Sequence, residues 1–309
     1  MLELVAVTVL GTFIGVLTGF IPGLHPNTVV FSTFPAYFSL DISFPVYICF
    51  VAGLSVCHTF HDFLPAIYLS APSAESAVAS LPGTEMARNG KGKTAFFYTV
   101  YGGLVAVGSV LVVSPLLFIF LEPLYQIAAK LMPFILIFFL AFILISRGGL
   151  SGVLVASASG ILGVLAFRQP VNQSFVLMPV FSGLFAVPAV LEAWRSDLDI
   201  VEQEDAKADI SVRGGVIGFV SGLLAGTVPG VGAGVATSFL SPLIEERREV
   251  LTGLGAVNTS DIFVSLVALF LIEKARSGAS VAIRTLGELT PELMVLTAGS
   301  SLLAVGISV

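Results

Sequence analysis

The sequence predicts an all-α fold, that of a polytopic integral membrane protein with roughly nine or ten membrane segments. Two observations support this prediction. First, 56% of the 309 residues are hydrophobic and 11% are charged, whereas a soluble domain is about 25% charged. Second, long uncharged stretches, such as 4–40 and 94–121, alternate with short charged islands. This pattern is typical of membrane helices and their loops, and a soluble chain of this length could not bury every face of so many apolar helices.

Nine apolar stretches are the plainest membrane segments. They are, in chain order, residues 4–21, 45–57, 95–121, 131–145, 150–167, 175–191, 216–228, 262–272 and 293–309. Three other stretches are only eight to twelve residues long, namely 29–40, 64–71 and 235–244. At about 1.5 Å per residue they are too short to span a bilayer, so we predict half-helices or re-entrant segments there.

An internal repeat determines the predicted domain organisation. Three glycines and a Pro-Gly pair recur at a constant spacing of 207 residues: Gly11, Gly15, Gly19, Pro22 and Gly23, then Gly218, Gly222, Gly226, Pro229 and Gly230. A weaker similarity relates residues 53–62 to 253–261, with a one-residue gap. We predict a first transmembrane repeat in 1–100, connecting transmembrane helices in 101–191, an acidic cytoplasmic linker in 192–213 and a second repeat in 214–309. We expect the two repeats to be inverted relative to each other.

The charged residues bear on orientation and partners. If the loop with Arg88, Lys91 and Lys93 is cytoplasmic, the predicted spans place seven basic residues on that side and two, Lys130 and Arg168, outside, in agreement with the positive-inside rule. The topology after residue 244 stays open. The net charge of −6 argues against a nucleic-acid partner. We expect a multi-pass protein of the plasma membrane in contact with the lipid bilayer, and a homodimer is compatible with the sequence.

Each run of glycines ends in a Pro-Gly pair. Glycines four residues apart let a neighbouring helix approach closely, and helix packing alone would explain them. The Pro-Gly pair adds a helix break, because proline lacks the N–H group and glycine accepts backbone angles that other residues refuse. A break at membrane depth is tolerated only where protein or a water-filled cavity covers it. Two such breaks in two repeats are typical of a transporter site at the repeat interface.

The residues around the two breaks predict an anion site. A helix that restarts after a break directs free N–H groups and its positive dipole end at the break, so it binds an anion without Arg or Lys. A carboxylate is the simplest candidate, and phosphate fits the same physics. The predicted substrate-binding residues are Pro22, Gly23, His25, Asn27, Thr28, Pro229, Gly230, Gly232, Gly234 and Thr237.

Two aspartates lie in apolar surroundings, where a charge is costly and usually functional. We predict that Asp62 and Asp261 bind a coupling ion, Na⁺ or H⁺, together with Asn258, Thr259 and Ser260, with His58 and His61 beside them as further ligands. Alternatively, each aspartate caps a half-helix. A metal site formed by His25, His58 and His61 is a further alternative, although the second repeat has no histidine. No cofactor, no metal and no catalytic residue is expected.

Several motifs resemble those of a known family. They are GVLTGFIPG at 15–23, GLLAGTVPGVGAG at 222–234 and SAESAVASLPGTEMARNGKGKTAF at 73–96. The chain resembles the large membrane subunit of the tripartite tricarboxylate transporters. The matching residues are Gly15, Gly19, Pro22, Gly23, Ser76, Ala77, Val78, Met86, Ala87, Arg88, Gly90, Lys91, Gly222, Gly226, Pro229, Gly230 and Gly232. The resemblance implies uptake of a small carboxylate driven by an ion gradient, with a small membrane subunit and an extracytoplasmic binding protein as partners.

Three features depart from that family's pattern. The chain is shorter than usual, so we expect a reduced or missing C-terminal part. His25-Pro26 stands in place of a glycine-containing continuation, and Leu81-Pro82-Gly83 in place of an Asp-Gly. These departures indicate a divergent branch, which could work without the extracytoplasmic partner.

The predicted function is that of a secondary active transporter, a permease for a small organic anion such as a di- or tricarboxylate, and not that of an enzyme. One alternative is a translocase for a polyprenyl-phosphate-type lipid anion, which the same helix termini could bind. An alternative from another class is an intramembrane aspartyl protease that uses Asp62 and Asp261. No Gly-x-Gly-Asp sequence precedes either aspartate, and that alternative leaves the Pro-Gly repeats unexplained.

Overall fold

The computed structural model describes residues 1–71, 77–145, 149–170, 176, 179–180, 183–184, 187–195, 201–206, 209–228, 231–240, 244 and 246–309. In these residues the regular secondary structure is helical throughout. The predicted all-α class is therefore confirmed.

Fourteen helices are formed by the described residues. The first seven are α1 (Leu2–Phe20), α2 (Pro26–Ser32), α3 (Phe34–Ser39), α4 (Phe44–His61), α5 (Phe63–Tyr68), α6 (Ala77–Arg88) and α7 (Gly92–Ile143). The others are α8 (Gly149–Phe167), α9 (Val187–Arg195), α10 (Val212–Thr227), α11 (Ala233–Leu240), α12 (Arg247–Ile272), α13 (Gly278–Leu286) and α14 (Pro291–Ser308). Short helices lie where the sequence predicts half-helices, namely α2 with α3, α5 and α11.

Six helical segments of the described chain are long and apolar enough to cross a membrane. They are α1, α4 together with α5, α7, α8, α12 and α14. Helix α10 is apolar but shorter. The roughly nine or ten segments expected from the sequence are therefore not confirmed. Residues 175–191, one of the expected segments, lie largely outside the described residues.

Helix α7 joins two of the expected segments, 95–121 and 131–145, into one helix of 52 residues. At about 1.5 Å per residue it is about 78 Å long, which exceeds the hydrocarbon thickness of a bilayer, about 30 Å. No glycine follows Gly108 within it, and its three internal prolines do not end it. Lys130, which we expected in a loop outside the membrane, therefore lies inside a continuous helix.

Helices α1 and α4 form a close pair. A Cβ atom added to Gly15 of α1 would lie 2.6 Å from the carbonyl oxygen of Leu54 and 2.8 Å from the Cβ atom of Cys57. From the α4 side, one added to Gly53 would lie 2.5 Å from the carbonyl oxygen of Thr8. The two backbones are therefore in contact, as small-residue faces allow. Residue numbers rise together along the contact, so the helices run parallel and the chain through α2 and α3 must turn back between them.

Helices α10 and α12 form a second pair with the same geometry. A Cβ atom added to Gly222 of α10 would lie 2.6 Å from the carbonyl oxygen of Val257, and one added to Gly214 would lie 2.5 Å from that of Glu249. Further along, a Cβ atom on Gly226 would lie 2.8 Å from the Cβ atom of Val264. This pair is also parallel, so the chain through α11 must turn back as well.

Helices from one half of the chain pack on the pair formed by the other half. Helix α7 lies against α12, where glycines on both helices bring Gly102 to Thr252 and Gly255 to Thr99. Helix α14 lies against α4 and α1, and the Thr8 and Ser300 hydroxyl groups are hydrogen-bonded at 3.2 Å. Helix α13 lies against α2, and α6 lies against α12. The two halves are therefore interlocked.

One end of the molecule is charged. The linker segment 201–206 lies along the loop between α6 and α7, where Gln203 accepts from the Gly92 N–H at 2.7 Å and donates to the Ala87 carbonyl at 2.9 Å. Lys93 pairs with Asp205 at 3.4 Å. The first residues of α10 and α12 lie close together, since Arg213 pairs with Glu249 at 3.6 Å. These contacts place segment 201–206 beside the basic loop.

Much of the remaining surface of the described residues is apolar. Helix α8 has no buried residue, and large hydrophobic side chains are also exposed along α1 and the second half of α7. An apolar surface of this extent is unfavourable in water and suits the lipid interior of a membrane.

Candidate functional site

The first helix break lies at the end of α1. The helix ends at Phe20, and Ile21 has extended backbone angles. Gly23 has a φ of 79°, in the left-handed region that glycine adopts without strain. The Leu24 N–H closes the turn onto the carbonyl of Ile21 at 3.1 Å. Pro22 and Gly23 therefore lie at a break, where the sequence predicts one.

The second break has a similar backbone. Helix α10 ends at Thr227, and Val228 is extended with φ −89° and ψ 120°, close to the φ −95° and ψ 111° of Ile21. The Val231 N–H donates to the carbonyl of Val228 at 3.3 Å. The predicted residues Pro229 and Gly230 lie outside the described residues.

The other predicted residues of the second break lie around the start of α11. Gly232 is exposed just before the helix, and Gly234 is half-buried within its first turn. The Thr237 side chain is buried, and its hydroxyl donates to the carbonyl of Gly234 at 2.8 Å. That hydroxyl proton is used inside the helix, so Thr237 would bind an anion only by exchanging this hydrogen bond.

His25 is the N-cap of α2. Its Nδ1 atom accepts a hydrogen bond from the Asn27 N–H at 3.2 Å, and the Thr28 N–H donates to the His25 carbonyl at 3.0 Å. The Asn27 side chain lies against Gly278, the first residue of α13. The N–H groups of Asn27 and Thr28 therefore already have acceptors.

A group of buried polar residues lies where α4 meets α12. This α4–α12 polar cluster consists of Thr18, His58, Thr59, Asp62, Asn258 and Thr259. The Asn258 Nδ2 atom donates to the Asp62 Oδ2 atom at 2.7 Å, and the hydroxyl groups of Thr59 and Thr259 are 3.3 Å apart. Both contacts join residues about 200 positions apart in the chain. The structure thus brings two predicted coupling-ion residues, Asn258 and Thr259, to α4.

The three histidines surround the end of α1. The ring of His25 meets the ring of His58 edge to face, with the centroids 5.3 Å apart. The His61 Nδ1 atom lies 3.0 Å from the carbonyl of Cys57, its acceptor. In the described part of the chain, no three His, Cys, Asp or Glu side chains are grouped as a metal site requires.

The remaining two predicted coupling-ion residues lie on another face of α12. Ser260 lies against Gly222 of α10, and its hydroxyl donates to the carbonyl of Ala256 at 2.5 Å. Asp261 is half-buried and accepts from the Ser265 hydroxyl at 3.4 Å. It lies inside α12, far from either helix end, so the alternative that it caps a half-helix is wrong. Asp62 does follow the end of α4, but its side chain does not cap α5.

The packing also corrects the weaker sequence similarity. Gly15 contacts Leu54 and Gly222 contacts Val257, so the partner helices correspond at a spacing of 203 residues. The alignment of 53–62 with 253–261 differs from this spacing by three residues before its gap and by four after it. At the spacing defined by the packing, Asp261 corresponds to His58 and not to Asp62.

Two residues of the site were missed by sequence reasoning. Thr18 lies beside Gly19 on the glycine face of α1, and that position could have indicated a buried role. Arg276 precedes α13 and stacks on the ring of Tyr125, 5.1 Å from its centroid. Its Nε and Nη2 atoms are buried and have no acceptor in the described residues. Arg276 stands two residues before Gly278, the residue that contacts Asn27.

These features define a class of protein: a polytopic helical membrane protein of the transporter type, with two broken helices and a buried polar cluster between its halves. The family model for the tripartite tricarboxylate transporter TctA family matches residues 5–308. The chain therefore belongs to the TctA family, as the sequence motifs indicated. The family is one of transporter permeases that work in tripartite systems with other components.

The chain is also similar to an archaeal protein. It is 29% identical over 289 residues to an uncharacterised protein of Methanocaldococcus jannaschii, MJ1079, and the match covers 90% of this chain and 72% of that protein. No solved structure matches the chain.

Proposed function

We propose that the protein is a secondary active permease of the plasma membrane that carries a small organic anion, a di- or tricarboxylate, with a Na⁺ or H⁺ gradient. The observation that carries the proposal is the position of the first break. It follows the glycine face of α1 and lies beside the α4–α12 polar cluster, because His25 of the break contacts His58 of the cluster. Substrate and coupling ion would then bind next to each other, as coupled transport requires.

An inverted arrangement of two repeats is part of the proposal. The matching contacts of Gly15 and Gly222 with their partner helices support two equivalent helix pairs. The contacts of α7 support the inversion. Gly92 meets Tyr68 and Gly103 meets Phe60, so α7 runs antiparallel to the segment formed by α4 and α5. Thr99 meets Gly255 and Gly103 meets Thr259, so α7 runs parallel to α12, and α4 and α12 are therefore antiparallel. Equivalent helices that run antiparallel belong to repeats of opposite orientation in the membrane.

Arg276 supports an anionic substrate. Two buried guanidinium nitrogens without an acceptor are costly, and the Nε–Nη2 edge can bind a carboxylate with two parallel hydrogen bonds. A carboxylate bound to this edge would remove that cost. The backbone of Arg276 lies near the first break, since the chain from Arg276 to Gly278 spans at most about 7 Å and Gly278 contacts Asn27.

A binding screen tests the proposal. Mono-, di- and tricarboxylates are added to the purified protein in detergent, with NaCl or KCl, and the unfolding temperature is measured. A ligand at about 100 times its Kd stabilises the folded state by about 2.7 kcal/mol, so a di- or tricarboxylate is expected to raise the unfolding temperature. Inorganic phosphate is the control anion. The proposal is wrong if phosphate stabilises the protein and no carboxylate does.

A further inference from the structure

We propose that the coupling ion is a proton and that it binds between His58 and Asp62, an inference that rests on the transport function proposed above. The Nε2 atom of His58 and the Oδ2 atom of Asp62 are 4.0 Å apart, and their side chains are 9% and 4% exposed. They are one helical turn apart, so α4 itself holds them face to face.

The hydrogen bonds of Thr18 determine which nitrogen of His58 carries the proton. The Thr18 hydroxyl donates its single proton to the carbonyl of Gly15 at 3.0 Å. The same oxygen lies 3.0 Å from the Nδ1 atom of His58, and with its proton directed at the Gly15 carbonyl it accepts a hydrogen bond there. In this arrangement neutral His58 carries its proton on Nδ1, and its Nε2 atom presents a lone pair.

That lone pair faces a carboxylate oxygen. Two acceptors opposite each other repel, and one added proton converts the contact into a charge-assisted hydrogen bond between imidazolium and carboxylate. Such a bond is about 2.7–2.9 Å long, so the two side chains would close part of the 4.0 Å gap. A proton fits between the two atoms.

The surroundings of the Oδ2 atom of Asp62 favour H⁺ over Na⁺. His58 and Asn258 both present nitrogen atoms to this oxygen, the first at 4.0 Å and the second, an N–H donor, at 2.7 Å. Hard cations prefer oxygen ligands. An amide N–H directed at the carboxylate repels a cation but is compatible with a proton on the imidazole.

The other titratable groups around His58 gain less from a proton. The Nδ1 atom of His25 already accepts from the Asn27 N–H, so protonation there breaks the cap of α2. His61 is bonded through its Nδ1 atom to the Cys57 carbonyl, and the Cys57 thiol lies 3.6 Å from the same nitrogen. Asp261 of α12 is bonded to Ser265 on its own helix. The gap between His58 and Asp62 is the position where a proton adds a hydrogen bond without breaking one.

The position of His58 also couples the proton to the substrate. A protonated His58 places a positive charge beside His25, whose ring centroid is 5.3 Å away and which caps the helix after the first break. A positive charge there attracts an anion to the break, and a bound anion in turn favours the proton. The same Asp62 oxygen is bonded to Asn258 of α12, so proton binding also changes the charge at the contact between the two halves.

Nitrogen-15 NMR of the histidine side chains tests the proposal. The chain has three histidines, so ¹⁵N-histidine labelling gives few signals, and the variants His25→Gln, His58→Gln and His61→Gln assign them. We expect His58 to carry its proton on Nδ1 at high pH and to gain one on Nε2 as the pH falls. Asp62→Asn removes the carboxylate, so it should move this titration to lower pH. Gly299→Ala, which adds a methyl group where nothing lies within 4 Å, is the control and should leave the titration of His58 unchanged.

Three results would overturn the proposal. They are a His58 that titrates identically in wild type and Asp62→Asn, a His58 whose proton is on Nε2 at high pH, and a His58 signal that moves when NaCl replaces KCl at constant pH. The titration needs no substrate, so its result is independent of the carboxylate screen. The proton site can therefore be wrong while the carboxylate screen succeeds, and the carboxylate screen can fail while the titration succeeds. In liposomes, an acid-outside pH gradient without Na⁺ should drive citrate uptake by the wild-type protein, whereas uptake that requires a Na⁺ gradient would contradict proton coupling.

Discussion

At the scale of single residues, glycines determine how closely the paired helices approach. We expect Gly15→Ala and Gly222→Ala each to destabilise the protein, because the new methyl group would lie 2.6 Å from a carbonyl oxygen of the partner helix. Overpacking of this kind costs typically about 1–3 kcal/mol. The measurement is the unfolding temperature of the purified protein in detergent.

Gly299→Ala is the control for these variants. Gly299 lies inside α14, and a Cβ atom there would meet nothing within 4 Å. Alanine is the better helix former by about 0.5–1 kcal/mol, so this variant should keep or raise the unfolding temperature. A loss as large as that of Gly15→Ala would mean that close approach is not the reason for the glycines.

Arg276 is the residue for which we expect the largest effect on the substrate. Arg276→Gln removes the guanidinium fork and should weaken carboxylate binding at least about tenfold, which corresponds to about 1.4 kcal/mol. Arg276→Lys should also weaken it, because an ammonium group cannot make the two parallel hydrogen bonds. Ligand-induced shifts of the unfolding temperature give both affinities. Lys274→Gln, at an exposed position of the same loop, should bind like wild type, and equal losses in both loop variants would contradict a specific role for Arg276.

The residues differ in how far the sequence alone could identify them. Pro22 and Gly23 were predictable, because proline and glycine break a helix through their own backbone chemistry. The pairing of Asp62 with Asn258 was not, because it joins positions 196 residues apart. Arg276 was overlooked because it lies in a short charged segment between apolar stretches, where a basic residue is usually exposed.

At the scale of the elements, the parallel pairs α1–α4 and α10–α12 make a prediction about topology. Ser39, just before α4, and Glu3, at the start of α1, should lie on one side of the membrane. Asn89 lies at the charged end with the start of α12, which runs antiparallel to α4, so it should lie on the other side. All three residues are exposed, and the native Cys49 and Cys57 are buried.

Labelling with a membrane-impermeant maleimide tests this topology. In liposomes or cells, Ser39→Cys and Glu3→Cys should react from one side and Asn89→Cys from the opposite side. The wild-type protein, with its two buried thiols, gives the background. Reaction of Ser39→Cys and Asn89→Cys from the same side would contradict the antiparallel arrangement of α4 and α12.

The linker between the halves is expected to depend on one side chain. Gln203 makes hydrogen bonds with Gly92 and Ala87, so Gln203→Ala should release segment 201–206 and increase its rate of cleavage by proteinase K severalfold. Glu204→Ala is the control. The backbone N–H of Glu204 donates to the Gly90 carbonyl, and alanine keeps that hydrogen bond, whereas the Glu204 side chain is exposed. Equal cleavage of the two variants would show that the glutamine does not fix the linker.

Helix boundaries were predictable where local chemistry ends a helix and not elsewhere. The ends of α1 and α10 follow from the Pro-Gly sequences. The continuous α7 does not follow from hydropathy, which treats Lys130 as an interruption although one lysine leaves the helical hydrogen bonds intact. In the sequence, the polar residues Asn258, Thr259 and Ser260 likewise interrupt the apolar pattern of the segment that forms α12. In the structure the helix continues through them, and their side chains are buried against α4, α7 and α10.

At the scale of the whole molecule, the interlocking of the two halves places the candidate site between them. Helix α7 packs on α12 and α14 packs on α4, so neither helix pair is complete without a helix from the other half. The α4–α12 polar cluster lies at the crossing of the two pairs. A movement of one half against the other would therefore change the contacts of Asp62, Asn258 and the histidines directly.

The central claim is that the first helix break and this cluster form the site of a carboxylate permease, and exchange of labelled substrate tests it most directly. Liposomes containing the purified protein are loaded with unlabelled citrate or succinate, and the entry of the ¹⁴C-labelled form is followed without any ion gradient. The account predicts rapid exchange of at least one of these carboxylates by the wild type, slow exchange by Pro22→Ala and Asp62→Asn, and wild-type exchange by Gly299→Ala. Exchange at the wild-type rate in Pro22→Ala and Asp62→Asn would contradict the account.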